Sequence, residues 1–372
     1  MPRAQNYLPR DVYEQALKLK ANNRWLQLIM LLKPVMEQGN PSRFVCSTLG
    51  FAYSQLNRYD AARYCYKIWL EQNDTPAVPL YCLGYLEYDQ GNWRAAVEWF
   101  DRALEEKPDY LRCWYRRGVA LFQMERIPQS AASMQKVLDL WEALAPGDTR
   151  DSLAKYYYKG CFYRAKCHMR LGEPRQALRY LRQLDRDGNR FYTERAHIRY
   201  NHARVLFDLG HPRQALDILN KLEARPWIAL LQARCLTALK QYDQAERFFD
   251  RAVGRRPQPW ALTARADFWQ LRGQPARAEQ DLQRALERDR KGRHKILCRI
   301  ARLRMQARDL PAAAALFRKA LAFKQKNWQR DDFEALTGLA ECYQLAGNEE
   351  KARELFARAA AVKEAYKDYE RH

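Results

Sequence analysis

Pairs of small residues twelve positions apart recur along this chain of 372 residues, and they constrain its fold more than any other feature. In each pair the second member is followed, four positions later, by an aromatic or long aliphatic residue. Two small residues at this spacing let two helix backbones approach closely, and the large residue fills the space beside them. A weaker unit with Ala16 and Leu28 comes first. The pairs are Gly50/Ala62, Gly84/Ala96, Gly118/Ser130, Ala165/Ala177, Ala203/Ala215, Ala233/Ala245, Ala266/Ala278, Ala301/Ala313 and Ala340/Ala352.

Residues 77–110 show the repeated unit most clearly. Leu80 and Gly84 lie on one face of a first predicted helix, and a glycine–asparagine pair ends that helix. A second predicted helix carries Ala96 and Phe100 on one face and ends before a proline. A unit this short cannot bury its own apolar surface, so it needs neighbours of the same kind.

The chain resembles the tetratricopeptide repeat family over nearly its whole length. The resemblance rests on about ten units in register, on the 34-residue period from Ala16 to Gly118, and on Pro108 near the end of a unit. It implies an all-α fold of the α-α superhelix type, a right-handed solenoid of antiparallel helical hairpins whose first helices line the concave surface. Some units lack the aromatic residue or leucine that the family favours in the first helix, which predicts irregular packing there. Those positions are Cys46, Cys161, Arg199 and Ala229.

The longest step between units predicts the division of the chain. Gly118 and Ala165 are 47 positions apart, and the extra residues include an Ala-Pro-Gly-Asp turn signal. We predict an N-terminal segment of about four repeats at 1–142, which is near-neutral and has an aromatic groove. A linker or a pair of lengthened helices follows at 143–157. The C-terminal segment at 158–372 has about six repeats, is strongly basic as far as residue 330, and ends in a capping helix.

Two further irregular steps predict hairpins of unusual length. Ala203 and Ala233 are only 30 positions apart, which predicts a shortened hairpin. Ala301 and Ala340 are 39 positions apart, which predicts an extension between them.

The excess positive charge lies in the second half of the chain. The net charge is +21, and residues 151–330 carry 40 Lys and Arg residues against 17 Asp and Glu residues. The rest of the chain carries 25 against 27. Thirty of the 40 cations are arginine, which makes forked contacts to carboxylates and phosphates. Such a stretch is typical either of a surface for an acidic partner or of a solvated outer face.

No pattern in the sequence predicts catalysis or a bound cofactor. The P-loop, dinucleotide, zinc-protease and nucleophile-elbow motifs are all absent. The six histidines lack metal-ligand spacing, and the nine cysteines include no C-x-x-C pair. We therefore predict a protein that is not an enzyme, has no metal or cofactor, and keeps reduced, buried thiols. The cysteines predicted at helix contacts are Cys46, Cys82, Cys161 and Cys298.

Aromatic residues on the first helices predict a binding surface in the N-terminal half. Tyr81, Tyr85 and Tyr88 follow the spacing i, i+4, i+7, opposite the packing face of their helix. A second apolar face either packs against neighbouring units or lines a ligand groove, and both interpretations stay open for each ring. The predicted aromatic contacts are Phe51, Tyr81, Tyr85, Tyr88, Tyr115 and Phe122.

Basic residues replace the apolar ones along the same predicted groove in the second half of the chain. Lys295 and Arg299 match one part of the clamp by which some family members grip a C-terminal carboxylate. The other parts of that clamp are missing, so we predict groove contacts without it. The predicted basic contacts are Lys166, Arg204, Arg234, Lys295, Arg299 and Arg302.

These features favour a non-catalytic scaffold or adaptor that binds a protein segment in its concave groove and assembles a larger complex. The segment would offer apolar anchors to the tyrosines and acidic residues to the basic stretch. The alternative is RNA binding through the arginine-rich half, where tryptophans are interleaved with the cations. A third hypothesis is a subunit of a secretion, envelope-assembly or signalling complex, whose basic half meets an acidic subunit or an anionic membrane surface.

The sequence also predicts a cytoplasmic location. Its first residues show no apolar run after the basic ones, unlike a secretory signal. The strongly apolar stretch at 26–32, which contains one glutamine, is too short to span a bilayer.

Overall fold

A computed structural model describes residues 8–39, 41–72, 75–187 and 195–371, and side chains as far as residue 364. These residues form twenty helices in consecutive pairs, and no strand occurs among them. The predicted all-α fold of helical hairpins is therefore confirmed. By its internal contacts the chain divides into two compact units, residues 1–209 and 210–372.

The first unit contains eleven of these helices. They are α1 (Arg10–Ala21), α2 (Trp25–Glu37), α3 (Arg43–Gln55), α4 (Tyr59–Glu71), α5 (Ala77–Asp89), α6 (Trp93–Glu106), α7 (Leu111–Gln123), α8 (Ile127–Glu142), α9 (Asp148–Arg170), α10 (Pro174–Arg186) and α11 (Arg195–Asp208).

The second unit contains the other nine. They are α12 (Pro212–Leu219), α13 (Pro226–Ala238), α14 (Tyr242–Val253), α15 (Pro259–Leu271), α16 (Pro275–Arg288), α17 (Arg293–Gln306), α18 (Leu310–Trp328), α19 (Phe333–Leu345) and α20 (Glu349–Arg371).

The small residues of the repeat lie where the two helices of a hairpin touch. A methyl group added at Gly84 in α5 would come within 2.7 Å of the Phe100 ring and 3.1 Å of Trp99 Cβ. Phe100 is fully buried, so its ring occupies the space that the missing side chain leaves. Gly118 meets the Met134 side chain in the same way, also at 2.7 Å. In these two hairpins the twelve-residue offset therefore marks the close contact of the helices.

Each hairpin turn contains one residue in the left-handed region, with φ between 54° and 80°. Glycine or asparagine occupies seven of these ten positions, because both tolerate positive φ at little cost. The glycine–asparagine turn signal of residues 91–92 belongs to these seven. The other three turns use residue types that predict no turn. They are Glu125, Lys240 and Arg308.

The irregular steps in the repeat correspond to helices of unusual length. The 47-residue step contains α9, which has 23 residues, preceded by a turn at 143–147. The 30-residue step contains α12, which has only eight residues. The 39-residue step contains α18, which has 19 residues. Extra or missing residues therefore change helix length, while the small residues keep their twelve-residue offset.

The arginine-rich second unit contains internal ion pairs. Arg265 lies 2.7 Å from the buried Asp281 carboxylate and 2.6 Å from Asp250. Asp281 also accepts a hydrogen bond from the Trp269 indole at 3.2 Å. Charged groups of this unit therefore join neighbouring helices, α14, α15 and α16 in this case.

All nine cysteines are free, and eight of them, all except Cys82, are buried. Burial raises the pKa of Cys46 to about 11, so its thiol is protonated at neutral pH. In the described part of the chain, no helix is long and apolar enough to cross a membrane, and no group of three or more potential metal ligands occurs.

Candidate partner-binding surface

Three consecutive first helices of the first unit, α5, α7 and α9, lie side by side, since α7 contacts both of the others. Along α5 the tyrosine rings form a row. The centroids of Tyr81 and Tyr85 are 6.4 Å apart, and those of Tyr85 and Tyr88 are 5.9 Å apart. The interplanar angle of the second pair is 15°, so its two rings are nearly parallel. The helical spacing that the sequence showed therefore places these rings on one face.

Helix α7 places Arg116 against this row. The guanidinium carbon lies 4.7 Å from the centroid of the Tyr85 ring, 5.0 Å from that of Tyr88 and 5.9 Å from that of Tyr115. A guanidinium within about 6 Å of an aromatic face is attracted by the ring quadrupole. The Arg116 Nε is buried and has no hydrogen-bond partner. Aromatic faces therefore surround this cation on several sides.

The next residue, Arg117, has different surroundings. Its Nε donates to the Asp101 carboxylate at 2.5 Å, and its Nη1 donates to the Ser133 hydroxyl at 2.8 Å. Arg116 has no ion pair with a carboxylate of the described residues. Successive residues of a helix point in directions about 100° apart, so these two neighbouring arginines meet different helices.

Helix α9 supplies the third side of the surface. Tyr115 of α7 lies 5.4 Å from Tyr156 and 6.1 Å from Tyr163, measured between ring centroids. The Lys166 ammonium lies 4.7 Å from the centroid of the Tyr163 ring and 4.4 Å from that of Phe122. In α9, positions 156, 159, 163 and 166 share one helix face. We call the half-buried members of this arrangement the aromatic–cation surface. They are Tyr85, Tyr88, Arg116, Tyr156, Lys159, Tyr163 and Lys166.

Two of the predicted aromatic contacts lie beneath this surface, and a third, Tyr81, is half-buried beside Tyr85. Tyr115 is 6% exposed and Phe122 is 9% exposed. Tyr81 packs against Phe100 at 5.8 Å and against Tyr110 at 5.1 Å. Burial raises the pKa of the Tyr81 and Tyr115 hydroxyls, so both stay protonated at neutral pH. These rings hold the exposed ones in place.

The lysines of the surface are partly desolvated. Burial lowers the pKa of Lys159, and the positive charges of Arg116 and Lys155 lower it further. Burial also lowers the pKa of Lys166, with a smaller contribution from Arg170. A lowered pKa means that the protonated ammonium is less favourable here than in water. An anion at this surface would stabilise both lysines in their charged form.

The other predicted contacts lie elsewhere. Phe51 packs edge-on against Trp25, with ring centroids 5.4 Å apart. Arg204 is exposed on α11. In the second unit Arg234 and Lys295 are exposed on α13 and α17.

Two of the predicted arginines in the second unit are already paired with acidic residues. Arg299 donates to the Asp267 carboxylate and, at 3.0 Å, to the Thr263 carbonyl. Arg302 lies 3.3 Å from the Glu334 carboxylate. Both guanidinium groups therefore contribute to links between helices of the second unit.

Sequence reasoning missed Arg116, Tyr156, Lys159 and Tyr163. Tyr156 and Tyr163 continue in α9 the aromatic spacing that was recognised in α5. Arg116 lies two residues before the small residue of its repeat, whereas the sequence comparison considered the residue just after it. Inspection of every position on the outer face of the first helices would have found all four.

Comparison with known proteins agrees with this architecture. The tetratricopeptide repeat family model matches residues 81–149, 200–258 and 298–369, which is more than half of the chain. The chain therefore belongs to the tetratricopeptide repeat family, as its repeat predicted. No curated protein matches the sequence significantly.

Solved structures share the fold at low sequence identity. The human IFIT1 dimer with PPP-AAAA is 15% identical, with a TM-score of 0.50 over 94% of this chain and 89% of that one. A tetratricopeptide repeat protein from Parabacteroides merdae is 17% identical, with a TM-score of 0.47 over 65% of this chain and 91% of that one. Pseudomonas aeruginosa pilF is 16% identical, with a TM-score of 0.44 over 57% of this chain and 90% of that one.

Proposed function

We propose that this protein is a non-catalytic scaffold that binds a segment of a protein partner on the aromatic–cation surface of α5, α7 and α9. Tetratricopeptide repeats support a protein-interaction role. This surface combines half-buried aromatic rings with cations, and a protein segment could contact both. The observation that carries the proposal is the arrangement of half-buried tyrosines around Arg116, which the close contacts of the hairpins do not require.

Tyrosine suits such a surface for a physical reason. Its ring offers a large apolar area and its hydroxyl can form hydrogen bonds, and little side-chain entropy is lost on binding. Tyr85 and Tyr88 are already held by each other and by Arg116, so their rings are ordered before a partner arrives. Such preorganisation lowers the entropic cost of association.

The alternative function, RNA binding through the arginine-rich half, has less support. Arg265, Arg299, Arg302 and Arg304 each pair with carboxylates of their own unit. A phosphate backbone would have to compete with those carboxylates for each guanidinium group. The charge of the sequence therefore overstates how many cations in this half are free to bind an anion.

Site-specific photocrosslinking tests the proposed surface. A photoreactive phenylalanine analogue replaces Tyr85 in the full chain, which is then irradiated in lysate of its own cells. Tyr64 on α4 is the matched control, because this tyrosine is 62% exposed but lies outside the surface. We expect a discrete crosslinked protein from position 85 that is absent from position 64 and is lost when Tyr88 is also changed to Ala.

Two results would contradict the proposed surface. The first is the same set of crosslinked proteins from both positions. The second is a partner captured at position 85 whose yield does not change with Tyr88→Ala in a folded protein.

A further inference from the structure

The cations of the aromatic–cation surface lack acidic partners. Several arginines elsewhere in the chain, such as Arg265 and Arg299, have them. Helix α7 contains no acidic residue, and the acidic residues of α9 lie in its first turn. In α5, Glu87 is already engaged by Arg63 at 2.8 Å and by the Asn92 amide at 2.9 Å. Among the described residues, no carboxylate forms an ion pair with Arg116, Lys159 or Lys166. This surface is therefore a cationic centre that its own unit does not neutralise.

The surroundings of Arg116 raise the energetic cost of leaving it without an anion. Its Nε is withdrawn from water without a hydrogen-bond partner, and three tyrosine rings lie around the guanidinium group. Aromatic faces attract a cation but accept no strong hydrogen bonds, so they leave the buried Nε–H of Arg116 without an acceptor. A carboxylate matches the forked N–H donors of a guanidinium group in shape and charge.

Two lysines of α9 support the same inference. Lys159 and Lys166 lie on the face of α9 that also carries Tyr156 and Tyr163. Lys166 packs over three aromatic rings, those of Phe122, Phe162 and Tyr163, and no carboxylate of the described residues lies within ion-pair distance of it. Arg116 of α7 and Lys159 of α9 therefore place like charges from two helices beside the tyrosines, and the two repel each other until an anion arrives.

We propose that Arg116, together with Lys159 and Lys166, is a carboxylate-binding centre, and that the segment bound on this surface is an acidic peptide whose Asp or Glu side chain reaches Arg116. This inference rests on the proposed function and adds the chemistry of the partner. It adds Arg116 and Lys159 to the predicted contact Lys166, and it places the recognition of acidic residues on this surface of the first unit. Net charge over a long stretch is a poor guide here, because it counts cations without showing which of them meet at one place.

Selection from a peptide library tests the carboxylate centre. Displayed twelve-residue peptides of random sequence are selected on the full chain at about 150 mM salt, where weak surface attraction is screened. We expect the selected peptides to be enriched in Asp and Glu and to lose affinity when Tyr85 and Tyr88 are changed to Ala. A chosen peptide is then compared with a copy in which each Glu is replaced by Gln and each Asp by Asn.

Arginine variants connect the peptide carboxylate to a particular residue. Arg116→Met should weaken binding of the acidic peptide about 30-fold or more, since truncating one partner of a desolvated charge pair leaves the other unpaired. The same variant should bind the amide copy of the peptide as the unmodified chain does. Arg102→Met is the matched control, because Arg102 also lies over an aromatic ring, 4.6 Å from the Trp99 centroid, but belongs to α6. Lys159→Met gives a second, independent variant should Arg116→Met fail to fold.

The outcomes separate the two proposals. Peptides that depend on Tyr85 and Tyr88, but bind Arg116→Met and Lys159→Met unchanged, would refute the carboxylate centre and leave the proposed surface standing. A selection that yields no peptide dependent on those tyrosines would refute both. A labelled single-stranded RNA that binds in an Arg116-dependent way, while acidic peptides do not, would replace the carboxylate by a phosphate and overturn the inference.

Discussion

At the scale of single residues, two neighbouring arginines in α7 show how position decides the role of a side chain. Arg117 is neutralised by Asp101 of its own hairpin, whereas Arg116 is enclosed by tyrosines of α5 and α7. A rotation of about 100° along the helix separates a structural ion pair from a candidate binding group. A residue type alone therefore does not identify a site, because the surroundings of the side chain set its function.

His294 in α17 provides a prediction at the same scale. Its ring is 5% exposed, and neither ring nitrogen has a hydrogen-bond partner. Burial lowers the pKa of His294. The positive charges of Lys324 and Lys295 lower it further, whereas the negative charges of Asp332 and Asp289 raise it. The unfolded chain therefore binds a proton near the ordinary pKa of 6.5, while the folded chain binds it only at lower pH.

We therefore expect the melting temperature to fall as the pH decreases from 6.5 toward the lower pKa of the folded protein. His294→Phe should reduce that dependence, because Phe323 and Trp328 already line the space around the ring. Thermal unfolding followed by circular dichroism between about pH 5 and pH 8 measures the effect. The exposed His211→Gln serves as the control, and an unchanged pH dependence in His294→Phe would show that the histidine plays no part.

At the scale of helices, the fold depends on one repeated contact, the close approach of two helices at a small residue. In the hairpin of α5 and α6, Gly84 faces the buried Phe100 ring. The twelve-residue offset is conserved across units because it fixes this contact, while helix lengths elsewhere vary from eight to 23 residues. The hairpin contact, and not the length of the unit, is therefore the feature that the sequence maintains.

Gly84→Ala tests this contact. The added methyl group would meet the Phe100 ring at 2.7 Å and Trp99 Cβ at 3.1 Å. Overpacking of this kind costs about 1–3 kcal/mol, which the better helix propensity of alanine, about 1 kcal/mol, offsets only in part. We therefore expect Gly84→Ala to have a lower free energy of unfolding than the unmodified chain, as measured by urea denaturation. In a chain that already has Phe100→Leu, Gly84→Ala should lower the free energy of unfolding by less than it does alone. Strict additivity of the two changes in free energy would contradict the contact.

At the scale of the whole molecule, the distribution of charge has a different meaning in the structure than in the sequence. The arginine-rich stretch at 151–330 includes many guanidinium groups that link helices within their unit, such as Arg265 between Asp250 and Asp281. The aromatic–cation surface of the first unit instead contains cations that lie against tyrosine and phenylalanine rings. Net charge therefore describes the solubility of this chain better than it locates the binding surface.

Binding of RNA provides the prediction at this scale. Residues 151–330 keep more cations than carboxylates, but several arginines at their helix contacts, such as Arg265 and Arg299, already pair with carboxylates. We therefore expect no saturable binding of a labelled single-stranded RNA of random sequence at about 150 mM salt. Fluorescence anisotropy at increasing salt measures this directly. Saturable binding at that salt, with an affinity that falls steeply as salt rises, would instead support the nucleic-acid alternative.

The sequence by itself determined the repeat, the helical hairpins and the family, because these depend on periodic patterns within about 34 residues. It also placed Tyr81, Tyr85 and Tyr88 on one face, since helical spacing fixes that relation. The tertiary structure decided which rings support the surface, which arginines are neutralised, and that Arg116 lies among the tyrosines. Those facts depend on contacts between different helices, and side chains that meet across two or three hairpins leave no signal in the spacing of a single one.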